Sequence, residues 1–233
     1  MKKTITIVKD VARLTRDTLS LKGPHPLKND YKKTLRLTQV QRNIIVGTLL
    51  GDGHLEVRSK NNHPRYCFNQ KEAQQSYVCH VYEHFRDWCS KEPQVVKSGV
   101  NLQGQATLAY YFKTCTHPAL EFYANQFYTE GSQSRRIKVV PNLLHRWLNP
   151  QVLAYWYMDD GHKDGSGYML NSQNYTLEEQ EILADALGRK FGFEVNIRKD
   201  RAKYRLYITA KSRDAFTKIV KPFILPSFEY KLQ

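Results

Sequence analysis

The chain says one thing twice, and that repetition limits its fold more than any other feature. Residues 45–53 read "IVGTLLGDG" and residues 153–161 read "LAYWYMDDG"; in each, about seven mostly apolar residues lead to an aspartate and then a glycine. The two aspartates, Asp52 and Asp160, stand 108 residues apart, and each is succeeded by a similar order of elements. Self-similarity at such a spacing marks one structural unit used twice, here a pseudo-dimer within a single 233-residue chain.

The first pass continues with a strand over 65–70, an amphipathic helix around 76–88, a strand over 107–114, a helix over 118–128 and a basic segment, "RRIKVVP", at 135–141. The second continues with a strand over 167–173, a helix over 176–192, strands over 194–199 and 204–210, then "RDAFTKIVKPFILP" at 213–226 and a closing "YKL" at 230–232. Thr176 and Glu179 form a capping box, Leu183, Leu187 and Phe191 share one helical face, and Gly192 is placed to end that helix. In 204–210, Tyr204, Leu206 and Ile208 alternate with Arg205, Tyr207 and Thr209, so one face is apolar and the other polar and basic. Val195 and Ile197 alternate in the same way with Asn196 and Arg198. Ahead of both passes, residues 1–37 are rich in Lys and Arg and broken by Gly23, Pro24 and Pro26. They are expected to be an extension over the main body, either an arm on DNA or a solvated tail. The expected division is therefore 1–37, a first half over 38–150 and a second over 151–233.

Carboxylates at the ends of these helices need compensation. A helix C-terminus carries roughly half a negative charge, which repels carboxylates. If the two helices pack side by side, Asp52 and Asp160 meet, and divalent cations between them relieve the repulsion. Oxygen donors without a His or Cys cluster suit Mg²⁺ rather than zinc. The alternative is two exposed aspartates beside ordinary C-terminal glycines.

Charge names the class of partner. Lys and Arg outnumber Asp and Glu by 36 to 22, a formal charge of +14 with a pI near 9.6. An excess of that size points to a polyanion, the plain alternative being a basic protein that needs only solubility. Half-buried sheets whose open faces carry Arg, Lys, Asn, Thr and Tyr have the side chains that read base edges and phosphates. No apolar run approaches the ~20 residues of a membrane-spanning helix. Asp10 and Asp17 fit neither a signal peptide nor a transit peptide. Cys67, Cys79, Cys89 and Cys115 show no metal-ligand spacing and are expected to be free thiols in an intracellular reducing compartment.

The paired segments resemble the two motifs of a single-chain LAGLIDADG homing endonuclease, with Asp52-Gly53 and Asp160-Gly161 on its final Asp-Gly. The likeness runs from about residue 39 to the C-terminus. "LAYWYMDDG" is similar to the monomeric, intron-encoded branch. The resemblance implies an α+β fold of two pseudo-symmetric αββαββα halves, with the motif helices at their interface and two saddle-shaped antiparallel sheets in the DNA major groove. It also implies Mg²⁺-dependent double-strand cleavage of a long, asymmetric target with short 3′ overhangs. Mn²⁺ is expected to substitute, and Ca²⁺ to support binding without cleavage. Tyr155 stands where the family has a small glycine, and Leu50 and Met158 replace an earlier acidic position, so looser or offset helix packing is expected in the second copy.

On this reading Asp52 and Asp160 are the metal ligands, with the backbone carbonyls of Gly51 and Asp159 as further ligands and the Asp159 side chain structural. Lys138 and Lys231 match the family's active-site lysines in position. Gln70 and Gln173, at corresponding strand ends, are candidates for ordering water. Arg58, Arg65, Lys71, Lys113, Arg198, Lys199, Arg201, Lys203 and Arg205 form the pool for DNA contacts. The expected partner is double-stranded DNA, with host intron RNA as a second partner if the protein is a maturase, no membrane, and a monomeric state. An organelle-encoded protein would act in that organelle. A non-catalytic DNA-binding protein on the same scaffold is the remaining alternative, and a nuclease of another fold is disfavoured by the paired motifs.

Overall fold

The computed structural model describes residues 27, 29–59, 61–100, 103–131 and 136–233. Most of the basic N-terminal segment lies outside the described residues. Its end is packed rather than draped: after α1 (Asn29–Thr34), Leu35 and Leu37 are buried in the core.

The first unit comprises α2 (Gln39–Leu50), β1 (His54–Glu56), β2 (Arg65–Lys71), α3 (Gln75–Phe85), β3 (Gln94–Val100), β4 (Ala106–Lys113) and α4 (Glu121–Phe127). A small hairpin of β5 (Tyr128–Glu130) and β6 (Arg136–Lys138) and a short α5 (Leu144–Trp147) lead onward. The second unit repeats the first as α6 (Pro150–Asp160), β7 (Gly161–Asp164), β8 (Gly167–Leu170), α7 (Leu177–Phe191), β9 (Val195–Asp200), β10 (Lys203–Ile208) and α8 (Arg213–Val220). Each unit is αββαββα. Their antiparallel sheets have the matching orders β1-β2-β4-β3 and β7-β8-β10-β9.

The sequence reading missed β1, β3 and β7, and for physical reasons. β1 has three residues and β7 four, too few to show a period, while every residue of β3 is exposed, so no apolar face marks it. The polar face of β10 is also less open than expected. Tyr207 is buried, the Arg198 guanidinium lying over its ring and pairing with Asp164, and Thr209 is buried as well.

Helices α2 and α6 are apolar on nearly every side because each is enclosed by the other and by its own unit's sheet. Their starts are set locally. Thr38 and Gln41 make a reciprocal capping box, and Asn149 accepts from two backbone N–H groups ahead of Pro150. The helices run parallel, since Asn43 donates to Gln151 and accepts from Asn149 at one end, while the Asp52 N–H, just past α2, donates to Asp159 near the end of α6 at the other. Such polar pairs in an apolar seam fix its register.

The expected loosening at Tyr155 does not occur, for a steric reason. Gly47 faces it, and a Cβ there would lie 2.6 Å from the Val152 carbonyl oxygen and 2.7 Å from the Tyr155 Cβ. One glycine thus gives the close approach that the family pattern divides between two. The Tyr155 ring turns aside to stack with Tyr77, and its hydroxyl bonds to His80 Nε2 at 2.8 Å. Among the described residues no helix is long and apolar enough to cross a membrane.

Candidate active site

Parallel packing brings the C-terminal ends of α2 and α6 together. Asp52 is exposed, and its Oδ2 accepts a hydrogen bond from Gln70 Nε2 at 2.7 Å. Asp160 is half-buried, and its carboxyl is pushed up to about 7 by burial and then by the charge of Asp52, against the pull of Lys138 and Lys231. Asp159 is also raised well above the ordinary carboxylate range by burial and then by the charge of Asp52.

The cations that compensate these helix ends are the two lysines. Lys138 Nζ, on β6, donates to the carbonyls of Gly51 and Gly53, both at 2.9 Å. Lys231 Nζ, on the 3₁₀ segment Pro226–Leu232, donates to the Met158 carbonyl at 2.6 Å. Each therefore binds backbone at the end of one motif helix, where a cation is most favourable. Burial lowers the pKa of both, and the nearby Asp159, Asp160 and Asp52 raise it again. The Gly51 carbonyl, expected as a metal ligand, is already engaged by Lys138.

Gln70 and Gln173 are not equivalent. His54 pairs with Cys67 and His162 with Met169, so Gln70 corresponds to Ser172, which is buried against Gln180. Gln173 falls one residue later, in a turn, and donates to Asp200 at 3.2 Å. Near Asp160 the corresponding strand end supplies Asn171, whose backbone N–H donates to the Asp160 carbonyl at 3.0 Å.

Both motifs continue with a histidine that the sequence reading passed over. The repeated Asp-Gly-His of 52–54 and 160–162 was the available signal. His162 lines an open cavity of about 590 Å³ with Asp159, Asn171, Tyr230 and Lys231. Burial lowers the pKa of His54 and of His162.

All nine basic candidates lie on or beside the two four-stranded sheets, but their surroundings differ. Arg58, Lys71, Lys199, Arg201 and Lys203 are exposed, and Lys113 is half-buried beside the Tyr111 ring. Arg65 is held by Glu56 at 2.6 Å with only 11% of its side chain exposed. Although burial raises Glu56, hydrogen bonds from Arg65 and Arg58 bring its carboxyl down to about 2. Arg205 is drawn to Asp200 at 3.3 Å and Asn171 at 3.4 Å. Arg58, Arg65, Arg198 and Arg205 thus have internal partners to give up before they can contact a phosphate.

The crowded carboxylates make a stability prediction for metal-free protein. Asp160 titrates near 7 when folded, against 3.8 ordinarily, so the folded state holds more protons in that interval and stability falls as pH rises from about 4 to about 7. Asp160→Asn removes Asp160's share of this decline, leaving that of Asp159. In chelator, the variant should be more stable than the parent by ~1–2 kcal/mol at pH 8, a value discounted for partial exposure, and equal to it near pH 4. Urea titrations at the two pH values test this, and equal midpoints at pH 8 would refute the strain.

Two αββαββα units, joined along parallel helices that end in aspartate and lysine pairs between basic antiparallel sheets, define a pseudo-dimeric protein with one composite polar centre. Residues 42–216 match the LAGLIDADG DNA endonuclease family, and the chain belongs to it. It is 30% identical over 210 residues to the DNA endonuclease I-ChuI of Chlamydomonas applanata, covering 85% of this chain and 96% of that one. It is 29% identical over 195 residues to the cytochrome b mRNA maturase bI2 of Saccharomyces cerevisiae, covering 81% of this chain and 46% of the maturase. Its fold matches that of the homing endonuclease I-WcaI bound to its DNA recognition sequence, with a TM-score of 0.79 and 28% identity over 93% of this chain and 96% of the other.

Proposed function

We propose that this chain is a homing endonuclease of the intron-encoded type. It makes a divalent-metal-dependent double-strand break at a long, asymmetric DNA target, leaving short 3′ overhangs and promoting intron mobility. The observation that carries the reading is the meeting of Asp52, Asp160, Lys138 and Lys231 at the joined ends of α2 and α6. The likeness to I-ChuI and I-WcaI across nearly the whole chain supports it.

The donor set suits a hard cation. Asp52 and Asp160 offer carboxylate oxygens whose mutual repulsion a divalent ion would relieve, and Mg²⁺ fits, with Mn²⁺ as a substitute. Among the described residues no cluster of three or more His, Cys, Asp or Glu forms a complete ligand cage, so phosphate and water oxygens would complete the coordination. Bound there, such a metal supplies a more acidic water and Lewis-acid stabilisation of phosphoryl charge.

The chain's own residues supply the rest. Hydrolysis joins a water oxygen to phosphorus and breaks the bond to the 3′ oxygen, with negative charge building on the phosphoryl oxygens. Lys138 and Lys231 hold an ammonium at each helix end, where that charge develops. Gln70 fixes the orientation of the Asp52 carboxylate. Basic side chains on the two sheets bind phosphate and set the position of the duplex.

The test is incubation with a library of randomised and intron-junction duplexes in Mg²⁺, Ca²⁺ or EDTA. Discrete double-strand cuts in Mg²⁺ alone are expected, with binding retained in Ca²⁺. Tight binding to a selected duplex without cutting in any metal would overturn the catalytic reading. If about eight phosphates are neutralised, binding should weaken with salt at a log–log slope of roughly −7. A slope shallower than about −3 would mean that the basic sheets do not track the backbone.

The match to bI2 favours one second reading, intron RNA binding as a maturase, which splicing and filter-binding assays with host intron RNA would detect. That relative also fits an organellar setting. Two motifs in one chain make a monomer the expected state.

A further inference from the structure

Asp159 belongs to the second motif helix, yet the groups that hold its carboxylate belong to the first half. Its Oδ2 accepts a hydrogen bond from the backbone N–H of Asp52 at 3.1 Å, and its Oδ1 accepts from the Tyr77 hydroxyl, on α3, at 2.8 Å. The need for this contact is set by the turn that ends α2. There the N–H groups of Gly51 and Gly53 both bond to the Thr48 carbonyl, at 3.0 and 2.7 Å, so Asp159 satisfies the N–H between them. Gly51 makes room for it, since a Cβ at that position would lie 2.5 Å from the Asp159 Cβ.

The arrangement has no mirror image. Gly51 is the counterpart of Asp159 in the first motif and has no side chain with which to hold the second half. We infer that Asp159 is a positioning residue that fixes the peptide carrying Asp52, making the first half's carboxylate depend on the second motif helix while Asp160 receives no reciprocal support. The inference rests on reading Asp52 and Asp160 as the two reactive carboxylates. Its consequence is functional asymmetry: loosening Asp159 should disturb chemistry at Asp52 first, and so bias cutting towards one strand.

Two readouts test it, one of them independent of cleavage. In metal-free, DNA-free protein, amide hydrogen exchange should find the Asp52 N–H protected. Asp159→Ala should lower that protection by about tenfold or more, and Asp159→Asn should keep it within about threefold. The Asn variant retains an oxygen for Asp52, and its NH₂ can donate to the Tyr77 hydroxyl. In single-turnover cleavage with each strand labelled, the strand served by Asp52 is identified as the one whose cutting Asp52→Asn preferentially removes. Asp159→Ala should slow that strand by about tenfold more than the other, because small misplacements of reacting groups have large rate effects, and Asp159→Asn should largely restore it.

Equal exchange of the Asp52 amide in the parent and Asp159→Ala would overturn the inference, and so would equal slowing of both strands. If Asp159→Ala does not fold, Tyr77→Phe removes one of the two donors without a change of shape. It should give the same strand bias at about threefold, and an unchanged strand ratio would overturn the inference. If the parent protein cuts neither strand, the endonuclease reading fails, while the exchange experiment still decides whether Asp159 holds Asp52.

Discussion

Replacing Asp160 with asparagine is expected to lower the rate of double-strand cleavage by on the order of 10³-fold, equivalent to about 4 kcal/mol of transition-state stabilisation. The substitution is nearly isosteric and removes only the charge. Asp160 is half-buried, and burial is the main cause of its raised pKa, so a neutral amide there is easier to accommodate than the carboxylate. The fold should therefore survive, and the metal-free protein should gain stability above neutral pH. Binding to target DNA in Ca²⁺ should stay within about threefold, because the sheets supply most of the phosphate contacts. Loss of cutting together with gain of stability is the signature of a carboxylate kept for chemistry at a cost to the fold. If Asp160→Asn cut both strands within about tenfold of the parent rate, the metal site would have to lie elsewhere.

Substituting Gly47 should have the largest effect on folding. Helix propensity alone predicts that Gly47→Ala stabilises an interior helical position by up to ~1 kcal/mol. Packing predicts the opposite. The added methyl would sit 2.6 Å from the Val152 carbonyl oxygen and 2.7 Å from the Tyr155 Cβ, and neither atom lies at the flexible end of a side chain. The helices would have to separate, and the interior on both sides of the seam would loosen with them. A net loss of about 1–3 kcal/mol is expected for Gly47→Ala, and about 3 kcal/mol or more for Gly47→Val. Urea midpoints decide between the two effects, and a stabilised Gly47→Ala would show that the helix contact is softer than its geometry implies. Cleavage should fall with stability, since separating α2 from α6 also separates Asp52 from Asp160.

Much of this molecule was legible in its residues, and unevenly so. The capping box at Thr176 and the left-handed Gly192 that ends α7 follow from chemistry within a few residues, and both are where the local pattern placed them. The lysines were harder to place. Lys138 and Lys231 stand on a strand and a 3₁₀ segment of unlike sequence, so only the family likeness pointed to them before the structure set each on a motif-helix end. Gln173 shows how little displacement matters on paper and how much in space. It lies one residue beyond Ser172, the equivalent of Gln70, and there the chain has already left the strand for a turn.

What the sequence determined by itself was whatever depends on neighbours along the chain: the duplication, the helices and their ends, the basic charge, and the two aspartates at matching positions. Only the tertiary structure decided what depends on contact between distant residues. It set Gly47 against Tyr155, Asp159 beneath the Asp52 peptide, and ion pairs on four of the arginines expected to face DNA. Periodicity specifies which face of an element is apolar, but the partner that covers that face is selected by packing across some 100 residues of chain, and no local pattern encodes it.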